Sequence, residues 1–261
     1  MKAYLNGNFL NLTQARIQTL EREASQAPGL FETARSLRGN IVCLNEHLLR
    51  LKKSCRILKI RLGFRTAELE EILRKVTVSN RGDDLILRLT VWRQGRGRQV
   101  LVRARAYKPY SRKKYEDGFK LWVSPKLQDE KSLFARVKST NRLFYETALQ
   151  GAKKRGFDEA LILNKRGQIC ECSRSNIFWV KNGEIWTPSV SCGCLPGVTR
   201  RAIMELAGEL KLKVHAGGFK LRDLQGCDEV FLTNSLMGIM PVNKCGIITK
   251  LLLKIYACLL K

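Results

Sequence analysis

A mixed α/β chain of two domains is predicted from three observations. Apolar residues recur with period two in some stretches and with helical period in others, and the two kinds alternate along the chain. Hairpin signals such as Asn6-Gly7 and Lys181-Asn182-Gly183 separate neighbouring strands. A polar, basic stretch at residues 108–118, containing Pro109, reads as a linker between residues 1–107 and residues 119–261.

The elements follow in order. Ala3–Phe9 reads as strand, turn and strand start, and Gly29–Arg35 as a short strand before an Arg38-Gly39-Asn40 turn. A helix follows, with Asn45 as its N-cap and Leu44, Leu48, Leu51, Cys55 and Leu58 on one face. Arg50, two residues from Leu48, is expected to point away from that stripe. A second helix spans 67–76. Leu85–Trp92 and Gln99–Ala106 pair across Gly95-Arg96-Gly97. Past the linker, a strand is expected near Phe119–Ser124, and a helix carries Phe144, Ala148 and Ala152 up to Gly156. Two hairpins follow, Ala160–Leu163 with Gln168–Cys172 and Asn176–Val180 with Glu184–Thr187. The Gly193–Gly197 loop enters a helix with Ile203, Leu206, Ala207 and Leu210 on one face. Asp228–Thr233 reads as a strand and Leu251–Leu260 as a closing helix.

Composition narrows the function classes. The 261 residues are 44% hydrophobic, which suits a buried core and excludes a disordered or fibrous chain. Lys and Arg total 48 against 23 Asp and Glu, a net charge of +25. The basic residues are spread along the chain, which favours a solvated surface that attracts small anionic substrates over a specific nucleic-acid site. Nine cysteines, an odd number in a large chain, point to a reducing cytoplasm. Met1–Leu10 lacks the apolar run of a signal peptide, and Lys250 and Lys254 interrupt the apolar tail, so no membrane association is expected.

Several segments invite chemistry. Leu195-Pro196-Gly197-Val198-Thr199-Arg200 puts Gly, Thr and unpaired backbone N–H groups at a helix start, which attracts phosphate. Thr233-Asn234-Ser235-Leu236 offers hydroxyls and amides after a strand end, and Arg50 offers a guanidinium fork. Within Ile169-Cys170-Glu171-Cys172, strand geometry sets Glu171 opposite the two cysteines. If its side faces inward, Glu171 needs a cationic partner; otherwise it is a solvated edge residue. Cys170-x-Cys172 and Cys192-x-Cys194 could together offer four thiolates to zinc. Their CxC spacing departs from the usual CxxC, so structural thiols are the preferred reading and no metal is expected.

In this order, the segments YLNGNF (4–9), GLFETAR (29–35), LNEHLLRL (44–51), VKSTNRL (137–143), GFDEALILNKRGQICECSRSNIF (156–178), WTP (186–188), CLPGVTRRAIMELA (194–207) and DEVFLTNSLMGIMPV (228–242) resemble the class IV aminotransferase family, the fold-type IV pyridoxal-5'-phosphate (PLP) enzymes. The resemblance covers nearly the whole chain. It implies a small N-terminal α/β domain and a larger C-terminal pseudo-barrel domain, with PLP between them, in a homodimer. It also implies that Lys138 is the catalytic Schiff-base lysine, Arg50 a phosphate ligand, and Glu171 the partner of the pyridine nitrogen. Val198 and Thr199 become the phosphate-cradling helix start, and Ser235 with Leu236 a second phosphate contact. The sequence departs from the family pattern at Gln26-Ala27-Pro28-Gly29, where an aromatic–Gly–Asp–Gly run is usual, and in the short tail after Val242.

Within the family, the wording Lys138-Ser139-Thr140-Asn141-Arg142-Leu143 resembles aminodeoxychorismate lyases of folate biosynthesis, since branched-chain transaminases carry Tyr where Leu143 stands. Asn234-Ser235-Leu236-Met237-Gly238 is similar to the lyase pattern too. Thr33 and Arg93 are implied as substrate contacts. A transaminase acting on branched-chain or D-amino acids with 2-oxoglutarate is the alternative. A non-enzymatic polyanion-binding protein on the same scaffold is a third reading, supported by the charge and opposed by the presence of Lys138, Arg50 and Glu171 together.

Overall fold

The computed structural model describes residues 2–80 and 82–259. The chain forms two compact units, one of Met1–Lys108 with Val137–Arg142, the other of Pro109–Arg136 with Leu143–Lys261.

The first unit contains β1 (Lys2–Leu5), β2 (Asn8–Asn11), α1 (Gln14–Gln26), β3 (Gly29–Leu37), β4 (Asn40–Ile41), α2 (Leu44–Ile57), α3 (Thr66–Ser79), β5 (Asp84–Gln94) and β6 (Gly97–Ala106). Its strands form one sheet in the order β2-β1-β6-β5-β3-β4. Asn6 and Gly7 both take positive φ, as the hairpin signal requires. One sheet face, carrying Leu30, Leu87, Leu89 and Val91, packs on Leu48, Leu51 and Cys55 of α2 and Leu69, Leu73 and Val76 of α3. Each fully buried Leu there contributes about 1.5–3 kcal/mol. The opposite face carries Trp92 and Leu101, which pack with Ala3 against Leu20 and Ala24 of α1. The sequence reading missed α1, whose charged residues dilute its apolar stripe; Thr13 caps it by accepting from the Arg16 N–H.

Two local expectations need correction. Helix α2 begins two residues early, after Cys43 in the left-handed region, and Asn45 lies inside its first turn rather than capping it. The Val42 N–H donates to the Arg35 carbonyl, which delivers the chain to the helix at that point. Nor does Arg50 point away from the packed face: its side chain is 9% exposed and packs against Glu32 of β3.

The second unit contains α4 (Arg112–Asp117), β7 (Leu121–Val123), α5 (Leu143–Lys153), β8 (Glu159–Leu163), β9 (Ile169–Cys172), β10 (Asn176–Lys181), β11 (Glu184–Pro188), α6 (Val198–Glu209), β12 (Val214–Gly217), β13 (Glu229–Asn234), β14 (Gly238–Pro241) and α7 (Ile247–Leu259). The strands of the expected pseudo-barrel divide between a five-stranded sheet, β12-β11-β10-β13-β14, and a three-stranded one, β7-β8-β9. Phe178, Val180 and Phe231 pack on Ile203 and Leu206 of α6 and Leu252 and Tyr256 of α7. The alternate residues Ile177, Trp179 and Leu232 pack with Leu161, Ile169 and Cys172. This period-two division makes β10 and β13 apolar on both faces. Helix α5 lays Ala148 and Ala152 on Ala160 and Ile162 of β8.

The stretch expected as a linker, 108–118, holds α4 and falls within the second unit from Pro109 onward. Residues 137–142, expected in the C-terminal domain, cluster with the first unit instead. Helix α7 starts four residues before the expected Leu251, and Leu260 lies outside the described residues. Among the described residues, no helix is long and apolar enough to cross a membrane.

Candidate active site

In the first unit the site grows from the edge of β3. The Phe31 N–H donates to the Lys138 carbonyl and the Thr140 N–H to the Gly29 carbonyl, so Ser139 meets Leu30 of β3 in an isolated antiparallel bridge. Thr140 Oγ1 donates to the Ala24 carbonyl and anchors the segment to α1. A β-carbon on Gly29 would press on Thr140 Oγ1, so glycine permits this close approach. Lys138 is thereby held at the sheet edge, with Nζ 4.7 Å from the centre of the Phe31 ring.

Beside it lies a buried charge network. Glu32, 4% exposed, occupies the helix-covered face of β3. It accepts from Arg50 Nε at 2.8 Å and Nη2 at 2.6 Å, and its Oε2 lies 2.7 Å from His47 Nδ1. Burial alone would raise the Glu32 carboxyl, but Arg50 and His47 outweigh it and hold the group at about 2. Burial lowers the His47 imidazole, and the bond to Glu32 opposes that without reversing it. With Glu32 ionised, His47 Nδ1 must carry the donated proton. Desolvation, then the charges of Arg50 and Arg142, bring the Lys138 ammonium down to about 7, against the pull of Glu32. An amine with that value is largely available as a nucleophile and base at neutral pH.

Thr33 and Arg93 stand elsewhere on this sheet. Thr33 pairs across the ladder with Arg88, whose guanidinium lies 4.0 Å from the Phe31 ring centre. Arg93 Nη2 donates to the Leu58 and Lys59 carbonyls just past α2, which occupies part of its fork.

In the second unit the central residue is Glu171, 6% exposed. It pairs with Ile162 on the α5-covered face of its sheet, while Cys172 pairs with Leu161 on the other. Strand alternation therefore decides between the two readings of this residue, and it is the inward one. Glu171 accepts from Tyr145 Oη at 3.0 Å and from the Leu195 N–H at 3.1 Å. Asn176 Nδ2 donates to the Leu195 carbonyl at 2.9 Å, so both polar groups of Leu195 are pinned just ahead of α6. Helix α6 starts at Val198, with Gly197 as N-cap, and Val198 and Thr199 are buried. A β-carbon on Gly197 would overlap Asn176 Oδ1; only glycine fits this cradle. Ser235 and Leu236 sit half-buried in the β13–β14 turn, where Asn234 Oδ1 accepts from the Leu236 and Met237 N–H groups.

Lys138 and Arg50 thus stand in one unit with Glu32 and His47, and Glu171, Val198, Thr199, Ser235 and Leu236 in the other. The sequence reading missed Glu32, His47, Tyr145 and Asn176. A signal for the first two was present: period two places Glu32 with Leu30 and Ala34, and a carboxylate on an apolar face needs a cation. The groups present suit PLP chemically, with an amine near neutrality, a buried carboxylate fixed by two donors, and a helix start cleared of a β-carbon.

The amino-transferase class IV family model matches residues 29–245. A putative branched-chain-amino-acid aminotransferase of Methanocaldococcus jannaschii is 32% identical over 93% of this chain and 87% of its own length. An aminodeoxychorismate lyase of Bacillus subtilis is 29% identical over 92% and 85%. The crystal structure of the branched-chain aminotransferase from the thermophilic archaeon Thermoproteus uzoniensis with norvaline superposes with a TM-score of 0.90 at 25% identity, covering 100% of this chain and 94% of that one. With its mixed α/β fold of fold-type IV, the chain belongs to the class IV aminotransferase family of PLP-dependent aminotransferases and lyases.

Proposed function

We propose that the protein is a 4-amino-4-deoxychorismate lyase that releases 4-aminobenzoate and pyruvate. The observation that carries this reading is Leu143, the first residue of α5, 76% exposed and lacking the hydroxyl of the Tyr that branched-chain transaminases carry there. The Asn234–Gly238 turn supports it through its resemblance to the lyase pattern. A homodimer in the cytoplasm is part of the same reading.

When bound, PLP supplies an electron sink for the substrate carbon that bears the amine. In this reading the chain's own groups do the rest. Lys138 would hold the cofactor through its amine, yield that place to the substrate amine, and as a neutral base would take the proton from the amine-bearing carbon. Glu171, held by Tyr145 and Leu195, would pair with the ring nitrogen and keep a proton there. The Val198–Thr199 helix start, Ser235, Leu236 and Arg50 hold phosphate through N–H donors and positive charge. Arg50 brings its positive charge to that role with its fork held on Glu32. Thr33 and Arg93 border the substrate. Formation of an aromatic product ring drives loss of pyruvate, so no keto-acid acceptor is consumed.

The assay is 4-aminobenzoate fluorescence from aminodeoxychorismate with no keto acid added. The transaminase reading is favoured by the 32% identity to the M. jannaschii relative. It prevails if no 4-aminobenzoate forms while branched-chain or D-amino acids convert 2-oxoglutarate to glutamate.

A further inference from the structure

We propose that Glu32 and His47 are positioning residues that set the charge felt by Lys138. Glu32 fixes the Arg50 fork and partly cancels its charge, while His47 holds Glu32 as a neutral donor. The proposal rests on the reading of Lys138 as the reactive lysine and adds what sets the protonation of its amine.

The geometry is that of a charge relay through one carboxylate. Glu32 takes three hydrogen bonds, two from Arg50 and one from His47, all at 2.6–2.8 Å in a site closed by α2. His47 and Arg50 stand three residues apart on α2, so both reach the same strand position. Lys138 is held on the edge of the same strand, one residue along, by the Phe31 N–H. The charged groups acting on it are Arg50 of α2, Arg142 of its own segment, Glu32 of β3 and Arg88 of β5. His47, also of α2, feels Lys138 as a repelling charge and so is the more easily kept neutral. Among the ionisable groups that act on Lys138, Glu32 supplies the negative charge that opposes Arg50, Arg142 and Arg88. A buried guanidinium stripped of every acceptor would be costly and would swing away, whereas Gln at position 32 keeps an amide oxygen for the Arg50 fork and removes only the negative charge. Glu32 therefore both keeps Arg50 near Lys138 and limits how strongly it acts.

This arrangement predicts opposite signs for two substitutions, which a purely structural role does not. Acetic anhydride labelling of the cofactor-free chain, from about pH 5 to about pH 10 with peptide mass spectrometry of Lys138, gives the midpoint of its amine. In Glu32→Gln the midpoint should fall, with labelling below it rising about three- to tenfold. In Arg50→Gln it should rise, with labelling falling by a similar factor. His47→Asn, which keeps a neutral donor, should stay closer to the parent than His47→Leu. Near-ultraviolet circular dichroism confirms folding of each variant. Midpoints that stay put, or move the same way in folded Glu32→Gln and Arg50→Gln, overturn the proposal. If Glu32→Gln does not fold, Arg50→Gln decides alone, and an unmoved midpoint there overturns it. Because the titration needs no cofactor, it is separable from the identity of the cofactor-bearing lysine, which borohydride mapping tests.

Discussion

Tyr145 Oη donates to Glu171 Oε1 at 3.0 Å, tying the first turns of α5 to the buried carboxylate of β9. This bond and the Leu195 N–H orient Glu171 within an apolar layer, where an unsatisfied carboxylate would be costly. Tyr145→Phe removes one of the two donors and leaves the ring packing intact. The expected loss is about 0.5–1.5 kcal/mol, seen as a two- to tenfold drop in kcat with little change in Tm. A kcat equal to the parent's would remove Tyr145 from the site.

Borohydride reduction of the PLP-loaded protein should place the pyridoxyl group on Lys138 and on no other lysine. Lys138→Ala should abolish both the label and the yellow colour. Peptide mapping decides, and a label elsewhere ends the assignment.

Arg50→Gln and Glu171→Gln should separate binding from turnover. On the proposed phosphate role, the first removes a charged contact worth about 1.5–3 kcal/mol. It should raise the Kd for pyridoxamine 5'-phosphate, the amine form of the cofactor, measured by fluorescence quenching. The second should bind nearly as well and turn over slowly, since an amide does not hold a proton on the ring nitrogen. Equal cofactor retention in Arg50→Gln would count against its phosphate role, and unchanged turnover in Glu171→Gln against its ring-nitrogen role.

Stability should depend on pH at both ends of the network. Glu32 sits at about 2 in the folded chain against 4.5 ordinarily, so its stabilisation is complete above 4.5 and fades as pH falls towards 2. Lys138 sits at about 7 against 10.5, so the unfolded chain binds more protons between those values and stability rises with pH across them. Glu32→Ala should cost about 3–5 kcal/mol at neutral pH by leaving Arg50 unpaired, and should flatten the acid limb. Urea unfolding at several pH values measures both slopes.

Gly197→Ala should disturb the α6 start although its backbone, at φ −65°, suits any residue. The conflict is steric, between the new methyl and Asn176 Oδ1, which also frees Leu195. Weakened retention of pyridoxamine 5'-phosphate in a folded variant is the expected result. Restoration by Asn176→Ala in the double variant would identify the clash as its cause.

Elements with a strong period and a clear turn were legible in the sequence, because these depend on neighbours a few residues apart. Asn6-Gly7 and Asn182-Gly183 turn as read, with positive φ at all four residues. The apolar stripes of α2 and α6 face their sheets as read. The ordered blocks around Lys138, Glu171 and Val198 also carried the family resemblance that the comparisons support. Which groups meet was a matter of tertiary packing. Residues 138–140 join β3 from more than a hundred positions away, and no local pattern encodes that pairing. Arg50 was set off the apolar stripe by helical spacing, which reports a side chain's direction and not what lies there; what lies there is Glu32, brought in by β3. Glu171 was ambiguous for the same reason. Alternation separates Glu171 from the two cysteines, but that both faces of β9 are buried, and that α5 brings Tyr145 to the one Glu171 takes, is set by tertiary packing.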